Sequence, residues 1–154
     1  MLRRTYDDQV CSVARALEIV GERWTLLIIR DALLGISRFD GFLTSLGVAR
    51  NVLTDRLNGL VANGLMERVP YQERPLRHGY HLTPKGRELT TVILALTEWG
   101  DRHLAGPDGP PRVAEHQDCG GRVVTGLTCR ACGRVVAPEE VTTRSAHEPV
   151  GRAS

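Results

Sequence analysis

The sequence predicts a mainly α-helical fold with one small β-hairpin, followed by a small module that carries most of the cysteines. Three observations support this. Apolar residues recur at helical spacing in several segments of the first 105 residues. Two runs that suit short strands, Met66–Val69 and His78–Leu82, flank a Pro-containing segment. Three of the four cysteines follow a Gly- and Pro-rich break at residues 106–111. A chain of 154 residues suits one domain with an appendage.

The N-terminal third predicts two core helices after residues 1–10, which are polar and suit an arm or a helical lead-in. Apolar residues between Val13 and Val20 mark a short first helix that ends at Gly21. A second helix is predicted from Glu22 to Leu34, and we interpret Trp24 in it as a packing anchor of the core.

Residues 37–62 predict two short helices joined by a tight turn. Ser37 and Asp40 have the spacing of a capping box for the first helix, and Gly47 permits the turn. The second helix repeats leucines on one face and carries polar residues on the other, namely Arg50, Asn51, Thr54, Asp55 and Asn58. This is a helix-turn-helix, whose second helix can enter the major groove of DNA.

The segment after Asn63-Gly64 predicts a wing. The strands Met66–Val69 and His78–Leu82 are joined by a loop at residues 70–77, which is too rich in Pro for a helix. Thr83 and Pro84 then begin a helix that runs to about Leu104. The predicted fold class is therefore a winged helix-turn-helix, mainly α with a small β-hairpin wing.

Several motifs resemble the HxlR-type family of bacterial winged-helix transcription regulators. They include Gly21-Glu-Arg-Trp-Thr-Leu-Leu-Ile-Ile-Arg30, Val52-Leu-Thr-Asp-Arg-Leu57 and Tyr80-His-Leu-Thr-Pro-Lys-Gly86, and the resemblance covers about residues 8–104. It implies a homodimer that binds double-stranded operator DNA. Ala49 departs from the family, whose members often have Ser there, and an Ala side chain cannot cap the helix.

Six side chains are predicted to contact DNA: Arg50, Asn51, Thr54 and Asn58 on the second helix of the motif, and Arg74 and Arg77 in the wing. Arg suits guanine edges and phosphate, and Asn suits adenine. Arg56 borders the leucine face, so an internal ion pair is as reasonable for it as a DNA contact. The apolar stripe of the helix from Pro84 to Leu104, together with the first helix, predicts a dimer interface; the alternative is that it folds back on its own core.

Residues 112–137 predict a small zinc ribbon. Cys129-Arg-Ala-Cys132-Gly133 is a zinc-knuckle sequence, and His116-Gln-Asp-Cys119-Gly-Gly repeats it with one extra Gly. A Val-Val pair that suits a strand follows each knuckle. We expect one structural Zn²⁺ bound by His116, Cys119, Cys129 and Cys132. Asp118 could replace His116, and the alternatives to zinc are a disulfide between Cys129 and Cys132 or unpaired cysteines in a tail.

Cys11 stands apart from the other cysteines, near the start of the first helix. A helix start favours the reactive thiolate, and some regulators of the resembling family sense oxidants or electrophiles through an N-terminal cysteine. Cys11 is thus a candidate redox sensor, and an oxidant or a small molecule is a candidate effector. The alternative is a small buried core residue.

The remaining features set the boundaries of the prediction. The expected divisions are a winged helix with terminal dimerisation helices at 1–105, a linker at 106–111, the ribbon at 112–137 and a flexible tail at 138–154. No run suits a membrane span or a signal peptide, so we expect a cytoplasmic protein. The histidines lack a catalytic pattern, which argues against an enzyme. The net charge of only +2 leaves a second possibility open, a zinc-containing protein-interaction adaptor that has lost DNA binding.

Overall fold

The computed structural model describes Tyr6 and residues 11–146. Most of the arm predicted at residues 1–10, and residues 147–154 of the predicted tail, lie outside this range. The chain forms two compact units, residues 1–97 and 98–154. The boundary between them falls within the helix Thr90–Leu104, whereas the division predicted from the sequence follows residue 105.

The first unit is mainly helical with one two-stranded antiparallel hairpin, as predicted for a winged helix. The elements in chain order are α1 Ser12–Val20, α2 Thr25–Leu33, α3 Phe39–Leu46, α4 Arg50–Ala62, β1 Met66–Glu73, β2 Leu76–Leu82, α5 Pro84–Arg87 and α6 Thr90–Leu104. A two-residue strand pair, β3 Leu127–Thr128 with β4 Val135–Val136, and a 3₁₀ turn at Pro138–Glu140 follow in the second unit.

The core of the first unit lies beneath α4. Leu53, Leu57 and Leu60 of this helix are 0–1% exposed, and they pack with buried side chains of α2, α3 and β1 such as Ile28 and Phe42. Each fully buried leucine contributes about 1.5–3 kcal/mol to folding. The leucine spacing therefore fixes the rotation of α4 and directs its polar face outward.

The start of α3 differs from the prediction. The helix begins at Phe39 with Arg38 as its N-cap residue, and no side chain caps it, so the predicted capping box of Ser37 and Asp40 is wrong. Instead, the carbonyl of Ser37 accepts a hydrogen bond from the Tyr80 N–H at 2.7 Å. Arg38 also forms an antiparallel bridge with Gly79. Residues 37 and 38 are extended because they pair with β2.

The hairpin is longer than predicted, and residues 70–73 and 76–77 belong to its strands. Pro70 pairs opposite His78, and the register shifts between Pro70 and Gln72. A proline is tolerated in such a two-stranded ribbon because one side of each strand is free, and bulges accommodate it. The actual turn is at Arg74-Pro75, whose peptide bond is cis.

The single helix predicted from Pro84 to Leu104 is two helices, α5 and α6. The predicted cap at Thr83 is confirmed, since its Oγ1 accepts a hydrogen bond from the Gly86 N–H at 3.1 Å. After Arg87 the hydrogen bonds span three residues: the Leu89 N–H donates to the Gly86 carbonyl, and the Thr90 hydroxyl donates to the Arg87 carbonyl. These bonds end α5 and redirect the chain into α6.

Candidate nucleic-acid interface

The polar face of α4 is presented to solvent as predicted. Arg50, Asn51, Thr54 and Asn58 are exposed, on the side of the helix opposite its buried leucines. Ala49 is the N-cap residue and offers no side-chain cap, so backbone N–H groups of the first turn lack a side-chain acceptor. Such N–H groups can donate to a phosphate.

Arg50, the first residue of α4, has two neighbours on α3. Its guanidinium lies 5.0 Å from the centre of the Phe39 ring, and its Nη2 is 3.4 Å from Oδ1 of Asp40. The Arg50 and Asp40 side chains are 66% and 77% exposed. Because an exposed ion pair is weak, a DNA phosphate can compete with Asp40 for this guanidinium.

Asn58 is connected to the wing, which the sequence did not predict. Its Oδ1 accepts a hydrogen bond from the guanidinium of Arg68 on β1, and that guanidinium lies 5.8 Å from the centre of the Tyr80 ring. Arg68 is not among the six side chains that the sequence predicts to contact DNA. The signal was its place at the base of the hairpin, where a strand passes beside the exposed face of α4.

The wing carries its two predicted arginines in different places. Arg74 is exposed at the turn, and Arg77 is exposed within β2, opposite Gln72. Between the wing, α3 and the start of α4 lies an open cavity of about 470 Å³. Its lining holds three guanidinium groups, one carboxylate and several aromatic rings, contributed by Phe39, Asp40, Arg50, Arg68, Tyr71, Arg77, His78 and Tyr80.

Two further polar residues of α4 have internal partners. Arg56 forms an ion pair with Glu22 at 3.5 Å, so of its two possible roles the structure places it in the internal one. The hydroxyl of Thr54 donates to the Arg50 carbonyl at 2.9 Å. Thr54 therefore presents its methyl group and an acceptor oxygen to an approaching duplex.

Helix α6 is unusual for its length because none of its fifteen residues is buried. Val92, Leu96 and Trp99 recur at helical spacing and are 42–55% exposed. On α1, Val13 and Leu17 are likewise exposed. Contiguous exposed apolar side chains of this kind mark interaction surfaces.

Cys11 is exposed and immediately precedes α1. It is the N-cap residue with an extended backbone, and its side chain makes no capping hydrogen bond. The alternative of a small buried core residue is therefore wrong for this cysteine.

The four predicted metal ligands form two pairs. His116 Nδ1 lies 3.3 Å from Cys119 Sγ, and Cys129 is in contact with Cys132. Hydrogen bonds from Cys132 and from the Ala131 N–H hold the pKa of the Cys129 thiol below its usual value. All four cysteines are free thiols in this structure. Within the described residues, no three His, Cys, Asp or Glu side chains are grouped closely enough to hold one metal ion.

In the second unit, the carboxylate of Glu98 on α6 bonds to a residue far away in the sequence. Its two carboxylate oxygens accept hydrogen bonds from the N–H and the hydroxyl of Thr125, a residue that lies in the sequence between Cys119 and Cys129. These bonds lower the pKa of Glu98 below 4.5, and the charges of Arg102 and Arg122 act in the same direction. This carboxylate was not recognised from the sequence, because its partner is 27 residues away.

A family model described as the HxlR-like helix-turn-helix matches residues 19–107. The chain belongs to this family. An uncharacterized HTH-type transcriptional regulator of Mycobacterium tuberculosis is 47% identical over 131 residues, which are 85% of this chain and 83% of that relative. This HxlR-like chain is thus a transcriptional regulator of the helix-turn-helix type, and the resemblance predicted from the motifs is confirmed.

Two solved structures extend the comparison. The crystal structure of PA1607, a protein provisionally assigned as a transcription factor, has a TM-score of 0.78 at 38% identity and covers 93% of this chain and 99% of that chain. The likeness therefore continues beyond residue 107, where the HxlR-like family model ends. The redox regulator HypR in its reduced form has a TM-score of 0.57 at 29% identity, covering 60% of this chain and 92% of that chain.

No helix in the part of the chain that the structure describes is long and apolar enough to cross a membrane.

Proposed function

We propose that this HxlR-like protein is a sequence-specific, cytoplasmic regulator that binds operator DNA as a homodimer. The observation that carries the proposal is the outward polar face of α4, held by three buried leucines beside an arginine-bearing hairpin. In a twofold dimer, two such helices would enter successive major grooves about 34 Å apart.

Within each half-site the two elements divide the work. Asn51, which is exposed at the start of α4, reads base edges, since an amide can bond an adenine edge at two points. Arg74 at the wing turn contacts the phosphate backbone and carries no sequence information. Arg50, Thr54, Asn58 and Arg77 complete the surface.

The experiment begins with selection of preferred duplexes from a random library, followed by anisotropy titrations of a selected and a scrambled duplex across salt. Arg74→Ala should weaken both duplexes about equally and reduce the salt slope by about 0.9. Asn51→Ala should lose about 1–3 kcal/mol on the selected duplex alone. A wild-type protein without salt-dependent binding to any duplex would favour the adaptor alternative.

The homodimer is supported by the exposed stripe of α6, because a monomer would leave Val92, Leu96 and Trp99 in water. Sedimentation equilibrium should give a dimer for the wild type and a monomer for Leu96→Glu. Thr91→Glu, an exposed position outside the stripe, is the matched control and should remain dimeric. A wild-type monomer at micromolar concentration would refute this part.

We also propose that Cys11 makes DNA binding responsive to oxidants or electrophiles. Its exposure supports this, as does the likeness to HypR, which is described as a redox regulator. Iodoacetamide should alkylate Cys11 in the native protein and change DNA affinity, while Cys11→Ser should keep its affinity under the same treatment. An unmodified Cys11, located by peptide mass analysis, would end this idea.

The C-terminal segment at residues 112–137 is, in this proposal, a small zinc ribbon with one structural Zn²⁺. The free thiols and the two ligand pairs support it. Metal analysis of the purified chain should find one zinc per chain, and Cys129→Ser with Cys132→Ser should lose it. A zinc-free wild type, or a variant that keeps its zinc, would exclude the site.

A further inference from the structure

The two turns that carry the ligand pairs have the same backbone hydrogen bonds, thirteen residues apart. In the first turn, the His116 N–H donates to the Gly121 carbonyl at 2.8 Å, and the Gly120 N–H donates to the His116 carbonyl at 2.8 Å. In the second, the Cys129 N–H donates to the Arg134 carbonyl at 2.9 Å. The Gly133 N–H donates to the Cys129 carbonyl at 2.8 Å.

The equivalence extends to the flanking residues. Glu115 bridges Arg122 next to the first turn, as Thr128 pairs with Val135 next to the second. Gly120 and Gly133 both adopt the left-handed conformation, with φ of 68° and 71°. The turns are therefore one knuckle built twice at a constant offset. The extra Gly predicted from the sequence is not an insertion, since Gly121 occupies the place of Arg134.

In this repeat, His116 occupies the place of Cys129, and Cys119 that of Cys132. Nδ1 of His116 is 3.3 Å from Cys119 Sγ. Two ligands of a tetrahedral zinc ion, with Zn–N and Zn–S bonds of about 2.0 and 2.3 Å, lie about 3.5 Å apart. The first pair is thus already close to the separation that zinc requires, and Nδ1 is the nitrogen that faces the sulfur.

The other ring nitrogen of His116 faces a carboxylate. Nε2 lies 3.7 Å from Oδ2 of Asp118. A histidine that binds metal through one nitrogen commonly donates its other N–H to a carboxylate, which fixes the tautomer and the ring orientation. The geometry places Asp118 in that outer position, on the side of the ring away from Cys119.

We propose that His116 binds Zn²⁺ through Nδ1, together with the thiolates of Cys119, Cys129 and Cys132, and that Asp118 is a positioning residue that accepts the Nε2–H bond. The inference rests on the zinc site of the proposed function and assigns the fourth ligand within it. Because no three of these side chains lie close enough to hold one ion in the described residues, the proposed site requires the two turns to approach each other when the metal binds. Asp118 must also approach Nε2 by several tenths of an ångström to form a full hydrogen bond.

The test is a titration of the full-length chain with Co²⁺, whose spectrum reports ligand type, followed by competition for Zn²⁺ with a chromophoric chelator. The wild type should bind one Co²⁺ with strong thiolate charge-transfer bands. His116→Cys should give a four-thiolate spectrum. Asp118→Asn should keep the wild-type spectrum but bind Zn²⁺ about 10–100-fold more weakly. Glu139→Gln, which removes an exposed carboxylate from the same unit, should change neither the Co²⁺ spectrum nor the Zn²⁺ affinity.

The opposite results overturn the assignment. If Asp118→Asn changes the ligand-field bands while His116→Ala does not, Asp118 is the ligand. If Asp118→Asn leaves the zinc affinity unchanged, it has no positioning role. A wild type that binds no Co²⁺ refutes the site itself, whereas loss of zinc in the Cys129→Ser variant with DNA affinity kept leaves the proposed regulator intact.

Discussion

Asp40 is expected to restrain DNA binding, and its replacement by Asn should increase affinity. The Asp40 carboxylate is the only acidic group lining the cavity between α3, α4 and the wing, and its Oδ1 is 3.4 Å from Arg50 Nη2. A duplex phosphate must displace it to reach that guanidinium. Asparagine keeps the shape and a neutral acceptor while removing the charge.

The magnitude follows from the exposure of the pair. With side chains 66% and 77% exposed, the ion pair contributes about 0.2–1 kcal/mol. Releasing Arg50 should therefore tighten binding by about 1.4- to 5-fold. If Arg50 then neutralises one more phosphate, the slope of log affinity against log salt becomes steeper by about 0.9.

The assay is anisotropy with a selected and a scrambled duplex at several salt concentrations. The scrambled duplex should gain more, because there Arg50 has only phosphate to bind. Asp108→Asn, which removes the same charge from the segment at residues 106–111, is the control for net charge. Equal gains in both variants, or weaker binding by Asp40→Asn, would refute the reasoning.

Three further predictions concern stability. Gly86→Ala should destabilise the first unit by more than 1 kcal/mol, because the new Cβ would lie 2.1 Å from the Leu65 carbonyl oxygen. Gly100→Ala in α6 meets open space and should stabilise the protein by about 0.4–1 kcal/mol, and chemical denaturation measures both changes. Arg30→Ala should lower the free energy of unfolding by about 3 kcal/mol, because the carboxylate of Asp31, which is 1% exposed, loses its ionic partner at 2.7 Å. Arg15→Ala, at an exposed position, should lower it by less than 0.5 kcal/mol. The bonds from Thr125 lower the pKa of Glu98 below 4.5. The stabilisation that they provide should therefore be complete above about pH 4.5 and be lost as pH falls through the pKa of Glu98 in the folded state. The Thr125 amide signal in NMR should report this change, and a Glu98→Gln variant that keeps the same pH dependence would contradict it.

The sequence determined the outward face of α4 and the order of the winged-helix elements. Leu53, Leu57 and Leu60 repeat at helical spacing, and burial of that stripe leaves only one rotation of the helix. The end of α1 at Gly21 and the cap at Thr83 could also be predicted, because each depends on residues only a few positions apart in the sequence. Interactions between residues that are close in the sequence can therefore be predicted from the sequence alone.

Contacts between distant segments were decided only by the tertiary structure. Ser37 was expected to cap α3, but its carbonyl bonds to Tyr80, 43 residues later, and the strand geometry outweighs the cap. The pairing of Arg68 with Asn58, and of Glu98 with Thr125, likewise depends on how elements meet. The spacing of His116, Cys119, Cys129 and Cys132 named the candidate ligands, but which nitrogen of His116 faces the sulfur is a matter of three-dimensional geometry. Sequence spacing thus selects the groups that are available, and packing decides which atoms of them meet.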